Sequence, residues 1–249
     1  MKNIVEFFSV SKTYVLNHWF SMRKIAALKD FSLKLEKGEI VGLLGLNGAG
    51  KTTIMKILCG LLFPSSGNVE IMGKSPLFAE AKRDIGYLPE FPYFHPNITA
   101  PQTLNYYLKL SGRLVDNWQV DKILEKVGLL QHRTKKVSEY SKGMKQRLGL
   151  AQALIHQPEI LILDEPVSGL DPLAIHEIRN LILSINKEGK TIFLSSHSIS
   201  ELEKICDRVV ILSLGRIIEV IQKKQWEHNP KGLERIFIEA LKNENQKKS

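Results

Sequence analysis

The chain has 249 residues, 43% hydrophobic and 24% charged, enough to bury the core of one large domain. Its 35 basic residues outweigh 26 acidic ones for a net charge of +9, which suits nucleic acid, an anionic membrane surface or an acidic ligand and selects none of them. No apolar run nears the roughly 20 residues of a bilayer-spanning helix, and Met1-Lys2-Asn3-Ile4-Val5-Glu6 lacks the apolar stretch of a signal peptide, so a cytosolic chain is expected.

In chain order, Lys2 to Phe8 reads as a strand, Ile25 to Leu35 as a second ending at Lys37-Gly38, and Glu39 to Leu44 as a third that runs into a glycine-rich stretch. Val15 to Ala27, with Trp19, Phe20, Met22, Arg23 and Lys24, is a long connection between the first two. It suits either a local hairpin extension or contact with a membrane partner or lipid headgroups. Thr52 to Leu62 follows as a helix with Ile54, Ile57, Leu58 and Leu61 on one side and Pro64 as its stop. From about Asn97 to His156 the periodicity is purely helical. Strands and helices then alternate: Ile160 to Leu163, a helix from Pro172 to Asn186, Thr191 to Ser195, a helix from Ser198 to Ile205, Val209 to Leu212 and Arg216 to Ile221. Leu233, Ile236, Phe237, Ala240 and Leu241 make a last amphipathic helix before the polar tail Lys242 to Ser249. Cys59 and Cys206 lie in core-like segments without metal-ligand spacing and are expected to be plain buried thiols.

Gly45-Leu46-Asn47-Gly48-Ala49-Gly50-Lys51-Thr52, followed by Thr53, fits the P-loop pattern and stands where that pattern must, after a strand and before a helix. Glycines let successive backbone N–H groups curl around phosphate oxygens, and the helix N-terminus adds its positive end. Lys51 supplies a point charge for β- and γ-phosphates, and the Thr52 hydroxyl can ligate Mg²⁺. The second anchor is Ile160-Leu161-Ile162-Leu163-Asp164-Glu165. Four apolar residues form a buried parallel strand and deliver two carboxylates at its C-terminal end, where open α/β sheets bind ligands. Asp164 suits the Mg²⁺ shell and Glu165 can orient or deprotonate an attacking water.

With these motifs the chain resembles the ABC ATPases over nearly its whole length. Tyr14 matches the aromatic residue that stacks on adenine, and Ile85-Gly86-Tyr87-Leu88-Pro89-Glu90 the loop joining the sheet to a helical sub-domain. Tyr140-Ser141-Lys142-Gly143-Met144-Lys145-Gln146-Arg147 matches the signature motif, Ser168-Gly169-Leu170-Asp171 the loop that crosses the dimer interface, and His197 the switch histidine. The other histidines match no motif and read as surface or packing residues. The resemblance implies an α/β fold: a P-loop NTPase core with a mixed, mostly parallel sheet flanked by helices, an N-terminal antiparallel β sub-domain and an inserted α-helical sub-domain. The divisions expected within 1–249 are a β region at 1–44, the core at 45–90 and 157–221, the helical sub-domain at 91–156, and a terminal helix and tail at 222–249.

The same resemblance implies ATP and Mg²⁺ as cofactors, Lys51, Glu165 and His197 as catalytic groups, and Thr52, Asp164 and Glu90 as groups facing the metal. Tyr14, the P-loop through Thr53, Ser141 and Gly143 would hold nucleotide. Two chains would face each other head to tail, Ser141 of one serving the γ-phosphate on the other. The expected partners are a second ATPase subunit and a transmembrane permease, on the cytoplasmic face of a membrane, with no nucleic acid. A soluble ABC-type ATPase acting on nucleic acid or ribosomes, a small-molecule P-loop kinase and a non-catalytic module are the rival readings. Two departures stand out: Glu90 replaces the family's glutamine, and the signature, usually Leu-Ser-Gly-Gly-Gln, reads Tyr140-Ser141-Lys142-Gly143-Met144. Met144 cannot make the glutamine's hydrogen bonds, and Lys142 would add positive charge near the γ-phosphate. Both departures, with Leu233-Glu234-Arg235-Ile236-Phe237, resemble the ABC-2 exporter branch.

Overall fold

Two sheets organise the chain, whose computed structural model describes residues 3–18, 21–112, 114, 116–229 and 232–246. Four strands come first: β1 (Asn3–His18), β2 (Ser21–Glu36), β3 (Ile40–Gly45) and β4 (Ser66–Ile71). β1 pairs antiparallel with β2 on one side and β4 on the other, making a small sheet of order β2-β1-β4. Strands β1 and β2 both outrun their predicted limits. The ladder absorbs register shifts around Val10 and Lys12 and a left-handed Ser9 (φ 47°), then continues to the pair His18 and Ser21. Such bulges break the period-2 alternation, which is why the sequence pattern stops at Phe8. The connection read at Val15–Ala27 is therefore a paired hairpin end with Val15, Arg23 and Lys24 exposed. Trp19 and Phe20 lie outside the described residues.

The larger sheet is completed by β5 (Ile85–Leu88), β6 (Ile160–Asp164), β7 (Thr191–Ser196), β8 (Arg208–Ser213) and β9 (Arg216–Gln222). Its order is β5-β6-β7-β3-β8-β9, all parallel except the β8–β9 hairpin. Because the central strands are covered on both faces, successive residues feed two different cores. Leu44, Leu161, Leu163, Ile192, Leu194, Val209 and Ile211 face one; Val41, Leu43, Ile160, Ile162, Phe193, Val210 and Leu212 face the other, toward the small sheet.

Helix α1 (Lys51–Leu58) follows β3 and stops earlier than predicted, because Gly60 turns into the left-handed region (φ 64°). Leu61, read as part of its apolar face, is consequently 63% exposed. After the short α2 (Ala79–Lys82), the helical middle divides into α3 (Ala100–Leu110), α4 (Asn117–Lys126) and α5 (Lys142–Leu154). Thr99 and Gln102 form a capping box at α3, Asp116 caps α4, and Ser141 caps α5. The remaining helices are α6 (Pro172–Lys187), α7 (Ile199–Ile205), α8 (Lys223–Glu227) and α9 (Gly232–Gln246). The predicted polar tail is thus helical as far as Gln246. Cys59 and Cys206 are free and buried, and burial pushes both thiols up.

Candidate active site

The site begins where β3 must turn back into α1. Gly48 (φ 80°) and Gly50 (φ 110°) hold left-handed conformations that suit no β-carbon, and one placed on Gly50 would meet the Ala27 carbonyl oxygen at 2.8 Å. The loop therefore presents backbone rather than side chain. Lys51, first residue of α1, is only 7% exposed. Its ammonium donates to the Gly45 carbonyl at 2.7 Å and lies 3.5 Å from Glu165 Oε1. A buried cation needs such partners, and a phosphate arriving here would replace them.

Strand β6 places its two acids on neighbouring tasks. Asp164 Oδ1 accepts from the Ser195 hydroxyl at 2.7 Å and from the Thr52 hydroxyl at 3.4 Å. Ser195 Oγ in turn accepts from the Glu165 backbone N–H at 2.9 Å. That bond holds Glu165 at φ 49°, a left-handed backbone costing on the order of 1 kcal/mol. Glu165 Oε2 then accepts from the His197 N–H at 3.2 Å and meets His197 Nδ1 at 2.8 Å. With Glu165 ionised, Nδ1 is the donor. Burial, with the Asp164 charge adding to it, pushes the Tyr87 phenol up.

Ser195 is the residue that sequence reading missed. The run Ser195-Ser196-His197 at the end of a buried strand, beside two carboxylates, was the available signal.

A cleft of about 710 Å³ gathers Tyr14, Leu46 to Thr53, Glu90, Glu165 and His197, with Ile25 to Ala27 as one wall. Tyr14 and Ile25 are paired across β1 and β2. The Tyr14 hydroxyl is 3.4 Å from Thr53 Oγ1, and the Lys12 ammonium lies 5.5 Å from its ring centroid. Glu90 Oε1 accepts from the Ser168 hydroxyl at 3.4 Å. Ser141 and Gly143 are elsewhere, in a cleft of about 290 Å³ with His132, Met144, Arg147 and Asp171. Ser141 Oγ accepts from the Met144 N–H at 3.2 Å and so caps α5. Among the described residues, no side chain lines both clefts. The predicted residues thus fall into two separate clefts on one chain. A third cleft of about 730 Å³, beside Trp118 and Lys122, holds none of them.

The pattern of the ABC transporter family matches residues 28–168. The chain belongs to that family. It is 45% identical over 218 residues to the bacitracin transport ATP-binding protein of Bacillus licheniformis, covering 86% of this chain and 70% of that one. An uncharacterised ABC transporter ATP-binding protein of Synechocystis is 44% identical over 220 residues, covering 87% of this chain. The chain spans 62% of that relative's length and 63% of a similar Nostoc protein's. Among solved structures, an ATP-binding cassette captured as a dimer after hydrolysis, with ADP and phosphate, superposes with a TM-score of 0.79 at 26% identity, over 88% of this chain and 98% of its own. The ATP-binding subunit of an ABC transporter gives 0.79 at 28% identity, over 96% and 99%.

Proposed function

We infer that the ABC chain binds ATP in the cleft at the ends of β3, β6 and β7 and hydrolyses it as a head-to-tail dimer that drives a transmembrane permease. The observation that carries this reading is the meeting of Lys51, Thr52, Asp164, Glu165 and His197 at one end of the sheet, with Ser141 in a separate half-site. Lys51 is the cation for the β- and γ-phosphates, released from Glu165 as they enter. Tyr14 supplies the stacking face for the base, and Leu46, Asn47 and Ala49 line the phosphate turn with its glycines.

The acceptor set also fits Mg²⁺. Asp164 and the Thr52 hydroxyl offer hard oxygen donors side by side, with Glu90 in the same cleft, and this cation is commonly held by one or two carboxylates plus phosphates and water. When bound, it would neutralise charge on the phosphate oxygens. Glu165 takes the proton of the attacking water, and His197, hydrogen-bonded to the same carboxylate, orients it. The pair Ser141 and Gly143 presents a hydroxyl and the N-terminus of α5 to nucleotide on the partner.

A permease partner on the cytoplasmic face of a membrane is supported by the transport names of the relatives, and the exported or imported cargo would be set by that partner. The signature and Glu90 departures favour export. Phe91 and Tyr93, 69% and 85% exposed, offer such a partner an aromatic surface just beyond Glu90 in the chain. Calorimetry tests the core of this reading. Lys51→Ala should lower ATP affinity itself, because its charge acts before any bond breaks; unchanged affinity would remove the Gly45–Thr52 loop from nucleotide binding.

A further inference from the structure

Lys142 stands third in the signature, where the usual motif has glycine, and its position in the fold is unlike that of a phosphate ligand. It is the first residue of α5, at the positive end of the helix dipole, where a cation is unfavourable unless something local compensates it. The compensation is visible. The Lys142 ammonium lies 5.8 Å from the centroid of the Phe91 ring, within the ~6 Å reach of a cation–π contact. The same ammonium rests against Gly169, so closely that a β-carbon there would collide with it, and Gly169 itself is left-handed at φ 63°. One residue earlier in each loop, the Ser168 hydroxyl donates to Glu90. Three segments therefore meet: Glu90–Phe91 after β5, Ser168–Gly169 after β6, and Ser141–Lys142 opening α5.

We propose that Lys142 is a positioning residue, clamping the start of α5 to the Phe91 and Gly169 loops of its own subunit so that a change at Glu90 is passed to Ser141. It rests on the reading above, in which Ser141 serves nucleotide bound by the partner. Glu90 lines the chain's own nucleotide cleft, whereas Ser141 lines the other half-site. The clamp makes the presentation of Ser141 to the partner depend on what occupies the chain's own cleft. It also puts Phe91, an exposed aromatic, in direct contact with the cation beside Ser141. A cation is required because the contact is charge on ring: a neutral side chain of the same length keeps the stem and loses the attraction. The alternative role for Lys142, a second cation on the γ-phosphate across the dimer, needs its side chain free of Phe91.

The two roles separate in a double-mutant cycle of Lys142→Met and Phe91→Leu. The cycle is built in a Glu165→Gln background, and the equilibrium constant of the ATP-driven dimer is measured by sedimentation. Each single change should weaken the dimer by about 2- to 5-fold, the worth of an exposed cation–π contact, and the double variant should be no weaker than the worse single. Lys142→Arg, whose planar cation stacks on a ring equally well, should stay within about 1.5-fold of the parent. Effects that multiply in the double variant, or a silent Phe91→Leu beside a damaging Lys142→Met, would overturn the proposal in favour of direct phosphate binding. Amide hydrogen exchange over residues 141–147 in the nucleotide-free chain gives an independent arm. Exchange there should rise equally in both singles and the double while the melting temperature holds, and unchanged exchange overturns the clamp. If the Glu165→Gln parent fails to dimerise on ATP, the functional reading fails, and the exchange arm still decides the contact.

Discussion

Replacing Glu165 by glutamine separates the two things its carboxylate does. Oε1 lies 3.5 Å from the Lys51 ammonium, both side chains under a tenth exposed, and Oε2 meets His197 Nδ1 at 2.8 Å. At an effective dielectric of ~20, unit charges at that separation attract by about 4–5 kcal/mol, but burying both already costs several kcal/mol each. The amide keeps the shape, and Lys51 keeps its bond to the Gly45 carbonyl. The nucleotide-free chain should therefore lose only about 1–2 kcal/mol, or about 2–8 °C in melting temperature for a chain of this length. With nucleotide the sign reverses, since removing an anion from a cleft that receives phosphates strengthens binding. Turnover should fall by about 10²–10⁴-fold as the general base is lost. Phosphate release, calorimetry with ATP and a melting curve measure the three effects on one preparation. Turnover within about threefold of the parent, or ATP affinity reduced as far as in Lys51→Ala, would refute the assignment of Glu165 as base.

The Glu90 position should tolerate its amide. Ser168 donates to Glu90 Oε1, which glutamine can still offer as an acceptor, so Glu90→Gln should keep turnover within about threefold, and complete loss of phosphate release would assign the carboxylate a specific role. The thiols make a separate test of the core. Cys59 and Cys206 are buried with their ionisation pushed up, and the thiolate is the reactive form. Neither should react with an aromatic disulfide reagent at neutral pH until the chain unfolds, and rapid labelling of the native chain would contradict the packing described.

Much of the site was legible because phosphate chemistry leaves few choices of residue. Gly48 and Gly50 occupy left-handed positions that the loop requires, and Lys51, opening the helix after β3, must meet the paired acids at the end of β6. The central strands were legible for a related reason: burial on both faces demands unbroken apolar runs such as Ile160 to Leu163. What escaped was governed by contacts distant in sequence. The extended β1–β2 ladder is hidden by bulges that interrupt its alternation. Strand β4, Ser66–Ile71, opens with Ser-Gly-Asn and shows its apolar side only at Val69 and Ile71. Ser195 gains meaning only when β7 lies beside β6 and its hydroxyl bridges Asp164 to the Glu165 backbone. Lys142 read as a positive charge near the γ-phosphate until the fold set it against Phe91.

The separation of the two clefts on one chain makes the sharpest test. Ser141 lines a cleft that shares no described side chain with the one holding Lys51. If a working site is built from Lys51 of one subunit and Ser141 of the other, a Ser141→Arg chain and a Lys51→Ala chain should each be nearly inactive alone. Arginine blocks the first half-site and lost phosphate binding empties the second. Ser141 also caps α5 through the Met144 N–H, so its loss costs about 1 kcal/mol of stability, and Ser141→Asn, which keeps a cap, controls for that. Mixed in equal amounts, the two defective chains pair at random. Half of the dimers are then heterodimers with one site carrying both defects and one carrying neither, which sets an expected recovery of about a quarter of the wild-type rate. Recovery of that order means the hydroxyl acts across the interface. If the mixture stays inactive although heterodimers form, trapping decides why. One occluded ATP per heterodimer means that both sites must be intact for either to turn over. None means that Ser141 serves its own subunit, and the head-to-tail arrangement is wrong.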